Sequence, residues 1–82
     1  MISYQAARDE ILDWVSETIR VPVEEIDLTK PLADIGIDSL DAVHMLATIE
    51  SIIQTELPED VVQRVTTLND IFEMMAERLA AA

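Results

Sequence analysis

Asp34-Ile35-Gly36-Ile37-Asp38-Ser39-Leu40-Asp41 marks the point where an irregular, proline-containing segment gives way to a periodic apolar run. It holds the only glycine of the chain. Asp38 is a preferred N-cap residue, and Asp41 stands three positions on, where a capping box places its second polar group. A helix is expected to open here, with Ser39 at its first position. A hydroxyl there is accessible and lies beside N–H groups that a helix start leaves without intrahelical partners. An anion attached to it would sit near the positive end of the helix dipole. The stretch reads as an attachment point.

Downstream, Ala42, Met45, Leu46, Ile49 and Ile53 follow the i, i+3, i+4, i+7, i+11 pattern of a core stripe, predicting a helix from about Ser39 to Ile53. Leu40, Asp41, His44, Ala47, Thr48 and Ser51 fall on its other side. Gln54-Thr55-Glu56-Leu57-Pro58 ends that helix, and Pro58 at a first helical position predicts a short third one reaching about Arg64. Val61, Val62 and Val65 give it a small apolar face. Thr67 caps a last helix to about Ala80, whose Leu68, Ile71, Phe72, Met75 and Leu79 repeat the core pattern.

Upstream, Tyr4, Ala7, Ile11, Leu12, Val15 and Ile19 predict a first helix from about Ser3 to Ile19, with Trp14 at the edge of its stripe. Pro22 and Pro31 break the segment that follows, where Val23 to Ile26 can form one turn. Val21, Ile26, Leu28, Leu32, Ile35 and Ile37 are spaced as anchors that would pin this loop over the bundle. The expected fold is all-α: one domain over residues 1–82, a small bundle of three longer helices and one short helix, with a long first loop.

Composition agrees. Half the residues are hydrophobic (50%), which argues against disorder, and one glycine with three prolines does not suit a sheet protein. Asp plus Glu number 17 against 5 Lys plus Arg, a formal charge of −12. Such a field repels nucleic acid and anionic membrane surfaces and attracts basic protein surfaces. Acidity also serves solubility, so charge fixes the sign of the partners and not their identity. The lack of cysteine excludes disulfides, thiolate metal sites and cysteine nucleophiles. No apolar run approaches membrane-spanning length, and the amino terminus lacks a basic region followed by an apolar one. A soluble, cytoplasmic monomer without a metal site is expected.

Gly36-Ile37-Asp38-Ser39-Leu40 resembles the attachment motif of acyl carrier proteins, whose serine carries 4′-phosphopantetheine. Thr55-Glu56-Leu57-Pro58 resembles the family's acidic-Ile/Leu-Pro segment, and Val65-Thr66-Thr67-Leu68 its entry to the last helix. With the helix order, the resemblance to a stand-alone carrier covers nearly the whole chain. It implies that Ser39 is the attachment site. Asp38, Leu40 and Asp41 fall on family positions that help transferase and partner recognition, and Glu50 and Glu56 match acidic positions. With His44 and Ala47 these form the implied docking face. Leu46, Leu57, Val62 and Val65 fall where the family lines its acyl-chain cavity; ordinary core packing is their role in either case. The implied partners are a phosphopantetheinyl transferase and the acyl-loading, elongating and acyltransferase enzymes of fatty-acid, lipid or polyketide biosynthesis, through basic docking surfaces. His44 stands where many fatty-acid carriers have glutamate, and Ser51-Ile52-Ile53 replaces part of a more acidic run. The serine-bearing helix is thus less acidic than in carriers of general fatty-acid synthesis.

A carrier needs no catalytic machinery of its own. The base and metal for loading belong to the transferase, and the reactive sulfur arrives with the arm, which fits the lack of cysteine. A small hydrolase built on Ser39 and His44 fails on geometry. Five residues turn a helix through about 500°, leaving the two side chains roughly 140° apart, out of general-base reach. No other histidine exists. A phosphate-cradling glycine-lysine loop and an EF-hand loop are both absent around Gly36. Two non-enzymatic alternatives stay open: a peptidyl or aminoacyl carrier, which shares the serine motif, and an acidic helical interaction module without a prosthetic group.

Overall fold

Ser3 opens the first helix by accepting the Ala6 amide on Oγ at 3.1 Å, and the chain is helical from Tyr4 to Ile19 (α1). Arg20 ends it by entering the left-handed region (φ 59°) and donating its N–H to the Ser16 carbonyl. The computed structural model describes residues 2–58 and 60–81, the side chains of Val62 and Ala81 excepted. Three further helices follow: α2 (Ser39–Ile53), α3 (Val61–Arg64) and α4 (Leu68–Ala81). The expected all-α plan of three longer helices and one short one is what the chain adopts.

The core is the set of faces the apolar spacing predicts. Ala42, Met45, Leu46, Ile49 and Ile53 of α2 are buried, against Ala7, Ile11, Leu12 and Val15 of α1 and Leu68, Ile71, Phe72 and Met75 of α4. Truncating one of the fully buried isoleucines or leucines to alanine costs about 2–5 kcal/mol in a core of this kind. Trp14 is half-buried against the same cluster. The Arg8 guanidinium lies 5.1 Å from the Phe72 ring centroid, closing the α1–α4 seam with a cation over an aromatic face.

The long loop between α1 and α2 is tied down rather than loose. Ile37 and Leu32 are buried, and Ile26, Leu28 and Ile35 are half-buried against the core. Pro22 and Pro31, with φ of −55° and −54°, each precede a 3₁₀ turn, Val23–Glu25 and Leu32–Ile35. Fixed φ makes proline a natural lead-in to such turns. The first turn is the one expected between Val23 and Ile26; the second, running straight into Gly36, carries no periodic signal. The Leu32 amide donates to the Thr66 carbonyl at 2.9 Å, and the Asn69 amide to the Leu28 carbonyl at 3.1 Å. These bonds fasten the loop to the entry of α4.

One boundary differs from the sequence reading. Pro58 does not occupy a first helical position, because α3 begins only at Val61. The Pro58 carbonyl accepts the Val61 amide at 3.1 Å and the Asp60 carbonyl accepts the Gln63 amide at 3.0 Å. These are i→i+3 turns, and Asp60 makes no side-chain cap that would extend the helix backward. Proline supplies a favourable φ but no hydrogen bond, so a tight turn forms in its place.

Candidate functional site

Gly36 sets the approach to α2. It closes the second 3₁₀ turn in the left-handed region (φ 99°), donating its N–H to the Ala33 and Leu32 carbonyls. A Cβ added there would lie 3.5 Å from Ile19 Cγ2, an ordinary contact, so the requirement for glycine comes from the backbone angle. The next amide, Ile37, donates to the Leu32 carbonyl at 2.9 Å. Asp38 then caps α2, its Oδ1 accepting the Asp41 amide at 2.8 Å while its carbonyl accepts that of Ala42 at 2.9 Å.

Ser39 occupies the first position of α2 and is exposed. The amides of Ser39 and Leu40 belong to the first turn and have no intrahelical acceptor. Asp38, Leu40, His44 and Ala47 are exposed beside it, and Asp41 is half-buried. Leu40 is 64% exposed and Val43 51% exposed, the large apolar side chains most open to solvent among the described residues. Val43 belongs to neither of the two faces read from the sequence. Its spacing, three after Leu40 and four before Ala47, is the signal that joins the three into one exposed apolar stripe. No lysine or arginine occurs in α2, so the field around the stripe is acidic.

Glu50 and Glu56 separate. Glu56 is exposed, whereas the half-buried Glu50 turns its Oε2 inward to accept the Leu57 amide at 2.8 Å. Glu50 thereby holds the α2–α3 connection in place. Of the four residues expected around an apolar cavity, Leu46 and Leu57 come together in a surface cleft of about 320 Å³ with Val43, Ala47, Glu50, Pro58 and Val61. Val65 lines a different cleft, of about 390 Å³ between α3 and α4, with Met74, Arg64 and Arg78. The Val62 side chain lies outside the described residues.

His44 and Ser39 share α2 five positions apart, so the imidazole faces away from the hydroxyl. Among the described residues no cluster of His, Asp or Glu could hold a metal ion, and no buried side-chain polar atom lacks a partner. No helix among them is long and apolar enough to cross a membrane.

Residues 9–75 match the family described as the phosphopantetheine attachment site. An acyl carrier protein of Streptomyces coelicolor is 37% identical over 75 residues, spanning 89% of this chain and 82% of its own. One of Amoebophilus asiaticus is 31% identical over 72 residues, spanning 87% and 90%. A crystal structure of a free-standing peptidyl carrier protein from Acinetobacter baumannii shares the fold, with a TM-score of 0.76 over 94% of this chain and 96% of that one at 23% identity. The chain belongs to the acyl carrier protein family, whose phosphopantetheine attachment domain carries a covalently attached 4′-phosphopantetheine.

Proposed function

We propose that this chain carries acyl intermediates on a 4′-phosphopantetheine arm attached to Ser39 and delivers them to enzymes of fatty-acid, lipid or polyketide biosynthesis. The observation that carries the reading is the exposed Ser39 at the first position of α2, delivered by a left-handed glycine and an aspartate cap. The chemistry around Ser39 fits the group. Its hydroxyl is open to a phosphoester bond, and the nearby amides of Ser39 and Leu40 lack intrahelical acceptors, a setting that suits an anion. Asp38 does not block that approach, since its carboxylate is engaged with the Asp41 amide.

The arm supplies a terminal thiol on which acyl groups ride as thioesters. Ser39 would act once: its oxygen would bond to the pantetheine-side phosphorus of coenzyme A as the pyrophosphate P–O bond breaks, adenosine 3′,5′-bisphosphate leaving and the hydroxyl proton passing to the transferase. The other residues recognise. Leu40, Val43 and Ala47 offer apolar contact, and Asp38 and Asp41 flank it with negative charge for a basic partner surface, with the exposed Glu56 beyond the end of α2. Leu46 and Leu57 line the cleft against which the apolar cargo lies. Tethering raises the effective concentration of the cargo at each partner in turn.

Aminoacyl cargo is a second reading, favoured by the shared fold of a free-standing peptidyl carrier protein. The test is to load the arm-bearing chain with malonyl or acyl groups by an acyltransferase, and with amino acids by an adenylating enzyme. A hydroxylamine-labile acyl adduct supports the first reading. An aminoacyl adduct alone supports the second.

A further inference from the structure

The entry of α4 lies far along the chain from Ser39, yet a continuous run of hydrogen bonds joins them. Asp70 Oδ2 accepts two consecutive backbone amides, Thr66 at 2.9 Å and Thr67 at 3.1 Å. Its own amide donates to Thr67 Oγ1 at 3.2 Å, completing a reciprocal cap. The peptide so fixed presents the Thr66 carbonyl to the Leu32 amide at 2.9 Å, and Pro31 pairs with Thr67 across the same contact. The Leu32 carbonyl in turn accepts the Ile37 amide at 2.9 Å. Ile37, 2% exposed, is followed directly by the Asp38 cap and Ser39. Beyond the Asp70 carboxylate, every link toward Ile37 is a backbone group.

We propose that Asp70 is a positioning residue for Ser39: by clamping the Thr66–Thr67 turn it fixes Leu32, and through Leu32 the Ile37 step that aims the attachment serine. The proposal rests on the reading of Ser39 as the attachment site. The two amides also hold the Asp70 carboxyl below the usual carboxylate range, so the clamp is closed throughout the neutral range. Asp27 gives a built-in comparison. It makes a local turn of the same kind, accepting the Thr29 hydroxyl at 2.6 Å and amide at 2.9 Å, in the α1–α2 loop that holds Leu32 but outside the bonds that lead to Ile37.

The experiment measures loading of the full chain by a phosphopantetheinyl transferase with coenzyme A, alongside amide hydrogen exchange. Asp70→Ala, which removes the acceptor, is expected to raise the KM of the transferase for the carrier several-fold, with kcat nearly unchanged, and to speed exchange at Leu32 and Ile37. Asp70→Glu, which keeps the carboxylate in a position that capping boxes favour, should restore both. Asp27→Ala, which opens the comparison turn, should leave both as in the wild type. Exchange in the wild type needs no variant: Thr67, Leu32 and Ile37 should share one level of protection. Wild-type KM in Asp70→Ala, or an Ile37 amide that exchanges independently of Thr67, overturns the positioning role. Failure of the wild type itself to load overturns the attachment reading instead.

Discussion

The Glu50 carboxylate on α2 accepts the Leu57 backbone amide at 2.8 Å, tying the α2–α3 connection to the helix that bears Ser39. A residue that the family resemblance marks for docking thus also holds the structure together. The two duties separate by substitution. Glu50→Gln keeps an acceptor oxygen but removes the charge, whereas Glu50→Ala leaves a half-buried amide without a partner. Glu50→Ala is expected to cost about 1–2 kcal/mol, since loss of a hydrogen bond to a charged group is attenuated by partial exposure. Urea unfolding checks this. Glu50→Gln should stay within a few tenths of the wild type yet turn over more slowly with basic partners.

Gly36→Ala should destabilise the fold by about 1–2 kcal/mol, the cost of holding a residue with a Cβ in the left-handed region. For a domain of this size that lowers Tm by roughly 4–16 °C. The added methyl meets Ile19 at an ordinary distance, so no clash adds to the cost. A melting curve unchanged from the wild type would contradict the backbone account.

Acid should weaken the fold through two depressed carboxyls. The Thr66 and Thr67 amides lower the pKa of Asp70, and the Thr29 hydroxyl and amide lower that of Asp27. In each case the unfolded chain takes up the proton first as pH falls. The stabilisation is complete above the usual carboxylate range and is lost as pH drops through the folded-state value. Self-repulsion of a chain with charge −12 acts the other way, easing as carboxylates are neutralised. Stability should therefore rise on mild acidification and fall in stronger acid. The difference in urea midpoint between wild type and Asp70→Asn should shrink towards zero on the acid side. A difference independent of pH would sink this assignment.

Val43→Ser tests the exposed stripe. The side chain is 51% exposed, so stability should move by no more than about 0.5 kcal/mol. Partner turnover should fall, mostly through KM. Normal kinetics with several partners would remove Val43 from the docking face.

Much of this was legible in the residues. The buried faces of α1, α2 and α4 follow apolar spacing, and both Asp38 and Thr67 cap where their side chains predict. Thr67 even shows how much a cap can hide: its partner Asp70 sits at the position of a capping box, but the reach of that turn to Leu32 is tertiary and leaves no local mark. The Glu50–Leu57 bond is invisible for the same reason, since it spans a non-periodic connection. Proline suits both a helix start and a tight turn, and at Pro58 only the i→i+3 bonds of the folded chain decide between them. Val43 leaves no mark in the core spacing, because an apolar residue that faces solvent lies outside the stripe that packs.

The central claim is that Ser39 is where the arm is attached. The intact mass of the chain should be taken after incubation with coenzyme A, magnesium and a broad-specificity phosphopantetheinyl transferase, beside Ser39→Ala. One added phosphopantetheine is expected on the wild type and none on Ser39→Ala, with the helical circular dichroism of the variant unchanged because Ser39 is exposed. An unmodified wild type, with the transferase active on a control carrier, or addition that persists in Ser39→Ala, would contradict the claim.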